Sequence, residues 1–495
     1  MLSVLLTSCY KDSNPYANMS SDYFTRMSED SLKLDRQGIR ATIDSLDKAT
    51  KILTASDKYV RNYYSEGNPC LWIHGGDVSA AADSVLVMLD NAEEHGFRGS
   101  LFRADDIRAD IARVRSLSCD GTALSNIFAR LEYNLSLSYF RYITSLHYGF
   151  VSPNDIFNRI DTVYVDSVKK KMSRLCDMPV LRPDSIFYSK SVQMLSPDSI
   201  VGYVAGLSPQ QPLYTLLKQR LANEELTPQQ RKRVLCNMER CRWRLSIHID
   251  DCKKYIEVNI PSFGLRAVDA DSVLTMRIGC GTVKQKTPLL SSKIKRMELN
   301  PQWIVPKSIA KGIAYSYSYM HRNNMFIHDK KLGKLPPEQS SLEKILNGEQ
   351  YIVQESGPKN SLGRIIFRFE NSFSVFLHDT SSPWIFQYKN RAVSHGCVRV
   401  QKPYDLAVFL LEKKDQELMD KIHYSMTVQL DKTAKDYKPI DKSKMKKAVY
   451  LDKEIPLFIS YYTVYYASND NYIVEYEDIY GYDKHLAGKL APYVK

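Results

Sequence analysis

No stretch of the chain approaches about 18 consecutive apolar residues, so no transmembrane helix is expected. The nine cysteines include no Cys-x-x-Cys pair and no Cys/His cluster of zinc-finger spacing. Cys236, Cys241 and Cys252 stand close together, but gaps of five and eleven residues match no metal framework. There is no internal repeat and no low-complexity tract. Lys and Arg outnumber Asp and Glu, 68 to 56, for a net charge of +12, yet they are scattered and form no RNA- or DNA-binding signature. No nucleic-acid partner is expected. The charge then favours a membrane surface or a carboxylate-rich polymer. The densest basic stretch, residues 431–448, reads as a solvated linker.

What is present describes a soluble globular protein: 44% hydrophobic and 25% charged residues. A chain of 495 residues exceeds one hydrophobic core, and about two to four domains are expected. The 33 tyrosines read first as core and hairpin residues, and second as amphipathic surface for a polysaccharide or peptide. At the N-terminus, "MLSVLLTSC" resembles a bacterial lipobox, a small residue before a cysteine that is lipidated after cleavage. The apolar run before it is short and no Lys or Arg opens it. Residues 1–9 are expected to be a lipoprotein-type signal remnant with Cys9 lipidated, and residues 10–30 a flexible tether. The protein would then be exported and held on a membrane by acyl chains. With Cys9 lipidated and Cys397 free, seven cysteines remain, an odd number, and most read as buried small hydrophobes.

Helical periodicity runs to about residue 240, and residues 31–240 are expected to form an all-helical domain. Ala82, Val85, Leu86, Leu89 and Ala92 share one face of a helix that Gly96 stops. Leu124, Ile127, Phe128, Leu131 and Leu135 mark a second helix, ending by Gly149 and Pro153. Two more are expected over 212–226 and 227–245, the latter with Pro228 in its first turn. After Arg244 the period becomes alternating, and residues 245–432 are expected to form a mostly β domain. Strands are expected at 255–268, 272–283, 363–371 and 372–379, with a helix after Pro403. Residues 310–350 break the pattern and read as an insertion, a candidate lid. Residues 433–495 read as a linker and two strands, around a Ser-Asn-Asp turn, that pack on the β domain. The fold class is α+β.

The chemistry gathers at "AVSHGCVRVQKPYDLA", residues 392–407. A nucleophilic cysteine needs a base, oxyanion donors and access. Cys397 follows His395 and Gly396, and the glycine lets a substrate carbonyl approach the backbone. The N–H of Cys397 and that of a neighbour are candidate oxyanion donors. His378 lies 19 residues upstream, where a turn between adjacent strands would bring it opposite the cysteine. In 372–379, Phe373, Val375 and Leu377 alternate with Ser374, Phe376 and His378, which places His378 off the core row. Asp379 or a backbone carbonyl would orient its ring. By spacing alone, chance coincidence of the triplet and a distant histidine stays open beside this reading.

"HDTSSPWIFQYKNRAVSHGCVRV" resembles the signature of the L,D-transpeptidases, the YkuD-type catalytic domain. The likeness extends to 255–263, 286–309, 357–380 and 478–483, all similar to the large YcbB-type branch. In the N-terminal half, 63–73 and 137–153 resemble that branch's scaffold domain. The resemblance implies Cys397 as nucleophile and His378 as general base, with Gly396, His395, Ser394 and Arg399 in oxyanion or supporting roles. Arg399 would hold a substrate carboxylate or brace the loop, and Ser394 would be structural. Phe376, Asp379, Trp384 and Tyr388 are cleft candidates. Trp303, in the family's Asn-Pro-x-Trp element with Asn300 and Pro301, is expected to pack beneath the site. The small peptidoglycan-binding module usual in that branch is not recognisable in the irregular 154–210.

The implied reaction forms 3→3 peptidoglycan cross-links through a cysteine thioester, releasing D-Ala, with tetrapeptide stems as donor and acceptor. Other cell-wall synthesis proteins are possible partners. Carbapenems are expected to acylate Cys397. No metal or organic cofactor is implied, and the setting is the periplasmic cell envelope. The same acyl-enzyme given to water would make an L,D-carboxypeptidase or an amidase. A wall-binding scaffold lipoprotein with a disused site is the rival from another class.

Overall fold

The structure is a computed structural model that describes residues 36–51, 54–74, 77–116, 121–165, 169–223, 225–270, 272–430, 437–467 and 472–495. Cys9, the expected tether, Cys119 and the expected Ser-Asn-Asp turn lie outside them. The chain divides into two compact units. One is Met1–Ser152 with Val180–Ser246 and Asp483–Lys495; the other is Pro153–Pro179 with Ile247–Tyr482. The class is α+β, but the units interleave along the chain. Residues 153–179, expected in the helical domain, belong with the β unit, and Asp483–Lys495, expected on the β domain, belong with the helical one.

The helical unit contains α1 (Arg36–Ala49), α2 (Ala55–Ser65), α3 (Ala80–Asp90), α4 (Ala104–Ser116), α5 (Gly121–Tyr148), α6 (Ser185–Gln193), α7 (Pro197–Leu207), α8 (Pro212–Asn223) and α9 (Pro228–Arg242). It is not wholly helical, since Ile73–His74 and Asp77–Val78 form a short ladder. Pro228 stands in the first turn of α9 as expected, but α3 stops at Asp90 and Gly96 ends the short turn after it. Ser79 caps α3 through its side chain, and Gly96 takes a φ of 74° after the short turn Ala92–His95. Thr227 and Gln230 form a capping box before Pro228. α5, which ends at Tyr148 before Gly149 as expected, is the central helix, packed by α1 to α4. It buries Glu132, whose carboxylate accepts the N–H groups of Leu71 (2.5 Å), Trp72 (3.0 Å) and Ile73 (3.2 Å) and the Tyr64 hydroxyl (2.5 Å). Those donors offset the cost of burying the carboxylate.

The β unit is organised by β1 (Cys176–Asp177), β2 (Lys254–Asn259), β3 (Gly264–Asp269), β4 (Ser272–Gly281), β5 (Leu289–Leu299), β6 (Trp303–Ile304), β7 (Met325–Asp329), β8 (Gly333–Leu335), β9 (Gln350–Gln354), β10 (Ile365–Phe369), β11 (Leu377–His378), β12 (Ala392–Ser394), β13 (Val398–Val400) and β14 (Ala448–Ser460). The main sheet runs β10-β11-β13-β4-β3-β2-β14-β5-β1, with β12 on β4. A further pairing of β5 with β10 closes it into a barrel-like ring. The expected strand 255–268 is in fact the hairpin β2–β3, turned at Phe263 (φ 48°). β14 is an interior strand, parallel to β2 and antiparallel to β5. The tail therefore completes the ring. The helix Pro403–Leu410 follows β13 as expected and buries Leu406 and Leu410.

The insertion is wider and more ordered than a lid over 310–350. β6 to β9 form their own sheet in the order β6-β9-β7-β8. With the helices Lys307–Ile313, Tyr317–Arg322 and Leu342–Asn347 it encloses a core of Val305, Ala310, Ala314, Met320, Met325, Ile327, Ile345 and Ile352. Its strands are short and separated by polar turns, which conceals them from a test for alternation.

Candidate active site

The strand expected over 372–379 shrinks to β11. Asn371 folds the chain ahead of it: its Oδ1 accepts the N–H groups of Phe373 (3.0 Å) and Val375 (3.1 Å), and its Nδ2 donates to the Val375 carbonyl (2.8 Å). Ser374 takes a φ of 56°. The alternation is thereby broken, and both Leu377 and His378 are buried. β11 lies parallel to β13, with His378 opposite Arg399 and Leu377 opposite Val398. A crossover through Pro383–Gln387 and β12, rather than a turn, joins them.

His378 is held from behind. Its Nδ1 lies 2.5 Å from the carbonyl of Asp379, an acceptor only, so Nδ1 carries the proton and Nε2 is left as an acceptor. The Asp379 side chain does not face the cavity. Its Oδ2 accepts the Arg364 N–H (2.8 Å), beneath Gly363, where a Cβ would fall 2.4 Å from that carboxylate. Burial, then the positive charge of Arg399, pushes the His378 pKa down to about 3, against the carbonyls of Asp379 and Leu362. Phe376 packs edge-on to His378 (5.7 Å between centroids) and lies under the Arg368 guanidinium at 4.7 Å.

The loop between β12 and β13 carries Cys397, half-buried. Gly396 takes a φ of 116°, which a side chain rarely adopts, although a Cβ there would make only ordinary contacts. The Ser394 hydroxyl donates to the Cys397 carbonyl (2.6 Å) and accepts the Gly396 N–H (3.1 Å), the structural part expected of it. Among the described residues the Cys397 N–H has no hydrogen-bond partner. Burial raises the Cys397 thiol above its ordinary value, opposed by the Phe376 backbone and the charges of Arg368 and Arg399. Arg368 is bound through Nε and Nη2 to Glu298. The Arg399 Nε is buried without a partner, and burial lowers the pKa of that guanidinium.

A cavity of about 630 Å³ joins these groups; His378, Ser394, His395, Cys397, Arg399 and Phe376 all line it. The exposed His395 is on its rim. Trp384 and Tyr388 do not line it: the short helix Pro383–Gln387 buries Ile385 and Phe386, leaving Trp384 53% and Tyr388 52% exposed. The insertion supplies a wall that the sequence did not announce, with Ile304, Pro306, Ile309 and Tyr319. Trp303 belongs to that wall as well, so it lines the cavity instead of packing beneath it, while its other side rests on the insertion's core. Arg368 is a further lining residue that the sequence reading missed; the alternating strand around it gave the only signal.

Among the described residues no disulfide, no cluster with metal-binding composition and no helix long and apolar enough to cross a membrane is present.

Residues 253–421 match the L,D-transpeptidase catalytic domain (YkuD), and residues 58–221 match the Scaffold domain. The "Putative L,D-transpeptidase" of Haemophilus influenzae is 31% identical over 244 residues, 48% of this chain and 46% of that protein. The matched part spans about half the length of this curated relative. A solved structure, that of the Ldtfm-avibactam carbamoyl enzyme, aligns with 34% of this chain and 47% of its own at 14% identity; its TM-score of 0.19 carries no argument. Along the chain the Scaffold match precedes the catalytic-domain match.

Proposed function

We propose that this chain, an L,D-transpeptidase catalytic domain joined to a Scaffold domain, forms 3→3 cross-links between peptidoglycan stems. The observation that carries the reading is the union of Cys397 and His378 in one cavity, with the imidazole fixed so that Nε2 is the acceptor. The Cys397 thiol passes its proton to Nε2 as sulfur attacks the carbonyl of the third residue of a donor tetrapeptide. The unpaired Cys397 N–H receives the developing oxyanion. Collapse breaks the bond to D-Ala, whose nitrogen takes the proton from the imidazolium, and a thioester remains on Cys397. The side-chain amine of a diamino acid on a second stem then attacks the thioester, its proton passing through Nε2 to the departing thiolate. Arg399, with its unpartnered Nε, receives a stem carboxylate, and His395 on the rim meets substrate. The reaction belongs in the cell envelope, with attachment through a lipidated Cys9 part of the same proposal.

The test is mass spectrometry of products from disaccharide-tetrapeptides, with Cys397→Ala as control. A dimer lighter by one D-Ala than two substrates, absent with Cys397→Ala, is the expected result. Tripeptide without dimer moves the assignment to hydrolysis, and no Cys397-dependent product overturns the enzyme reading.

A further inference from the structure

We infer that Thr287 is a positioning residue for the proposed acyl transfer, aiming the Cys397 N–H, and that Tyr480 holds Thr287 in place; this rests on the function proposed above. The argument begins with a planar peptide. In a trans peptide the C=O of Gly396 and the N–H of Cys397 point in opposite directions within one plane, so fixing the carbonyl fixes the N–H. The Gly396 carbonyl is fixed by the Thr287 hydroxyl, which donates to it at 2.8 Å. The same hydroxyl accepts the Gly281 N–H at 2.8 Å, so its single proton is committed to Gly396. Ser394 takes the Gly396 N–H and the Cys397 carbonyl. The Cys397 N–H is thereby a donor of this loop left for a substrate oxygen.

Thr287 is itself gripped. Its N–H donates to the Tyr480 hydroxyl (3.2 Å), which donates to the Gly281 carbonyl (2.6 Å). The Tyr480 N–H donates to the Tyr461 hydroxyl (2.8 Å), which donates to Asp478 (2.7 Å). Thr287 is completely buried and Tyr480 nearly so. The turn from Gly281 to Thr287 has no slack, because a Cβ on Gly281 would fall 2.1 Å from the Gln285 carbonyl oxygen and 2.6 Å from the Thr287 nitrogen. Neither Thr287 nor Tyr480 lines the cavity. Their effect on chemistry passes through the backbone of the Cys397 loop, at the Gly396 carbonyl and by way of Gly281, which pairs with Ser394.

The role separates two reactions of one sulfur. Acylation builds an oxyanion that needs the aimed N–H; alkylation by iodoacetamide displaces iodide and builds none. In the full chain, Thr287→Val, which keeps shape and removes the hydroxyl, is expected to slow carbapenem acylation of Cys397 by about 10- to 100-fold. Iodoacetamide labelling of Cys397, followed on its peptide by mass spectrometry, should stay within about twofold of wild type. Thr287→Ser should restore acylation, and Tyr480→Phe should slow it less than Thr287→Val. The second pair of variants carries the test if Thr287→Val fails to fold, since Tyr480→Phe with unchanged acylation would count against the inference. Equal acylation in Thr287→Val and wild type, or parallel loss of acylation and alkylation, overturns it. Wild type that takes no acyl group at Cys397 defeats the proposed function itself.

Discussion

At Cys397 burial opposes ionisation, and at His378 it opposes protonation, so both groups rest uncharged at neutral pH. A thiolate–imidazolium pair would give a thiol whose alkylation varies little between acidic and neutral pH. A neutral pair behaves otherwise: Cys397 alkylation should rise about tenfold per pH unit from neutrality into the alkaline range. A rate flat between about pH 5 and 8 would count against the neutral pair. The His378–Cys397 relation was read from their nineteen-residue spacing, and β11, which carries His378, pairs with β13, which begins one residue after Cys397. Thr287 and Arg368 were not legible, since nothing local marks their direction toward the site, and Trp303 was placed at the site but beneath it instead of on its wall. Asp379 was named for its carboxylate, yet only its carbonyl serves His378.

Among the elements, helices were the more legible. Gly96 and Pro228, the two signals read, act through local backbone chemistry where they stand, Gly96 ending the short turn after α3 and Pro228 opening α9. The strand read over 372–379 failed because the side chain of Asn371 competes for the backbone N–H groups that a ladder would use. The turn before Gly96 carries a further consequence. His95 is half-buried with Nδ1 2.9 Å from the Tyr214 hydroxyl, and its partial burial, then Lys218 and Arg242, lowers its pKa to about 3. An unfolded histidine binds a proton near pH 6.5 where folded His95 does not, so its contribution is present above that pH and lost on acidification toward about 3. The helical unit should lose about 1.4 kcal/mol per pH unit on this account within that window. His95→Gln should flatten the fall in urea midpoint below pH 6.5; an unchanged slope would contradict the assignment.

For the molecule as a whole, the exchange of 153–179 and Asp483–Lys495 between units was beyond a reading by period, because each segment's partners are fixed by long-range pairing. β1, for instance, pairs its two residues Cys176 and Asp177 with Leu289 and Leu290 of β5, more than 110 residues away. Composition was informative at this scale. A net charge of +12 should draw the chain to carboxylate-rich wall polymer, with sedimentation on isolated sacculi weakening by about tenfold or more between about 0.05 and 0.5 M salt. Salt-independent binding would assign capture to uncharged contacts. The central claim is that Cys397 carries the acyl group, and intact-protein mass spectrometry of an acid-quenched reaction with disaccharide-tetrapeptide tests it most directly. The account predicts an adduct equal to the substrate less D-Ala, mapped to the Cys397 peptide and lost in Cys397→Ala and His378→Ala. Cross-linked product formed without that adduct, and still formed by Cys397→Ala, would contradict it.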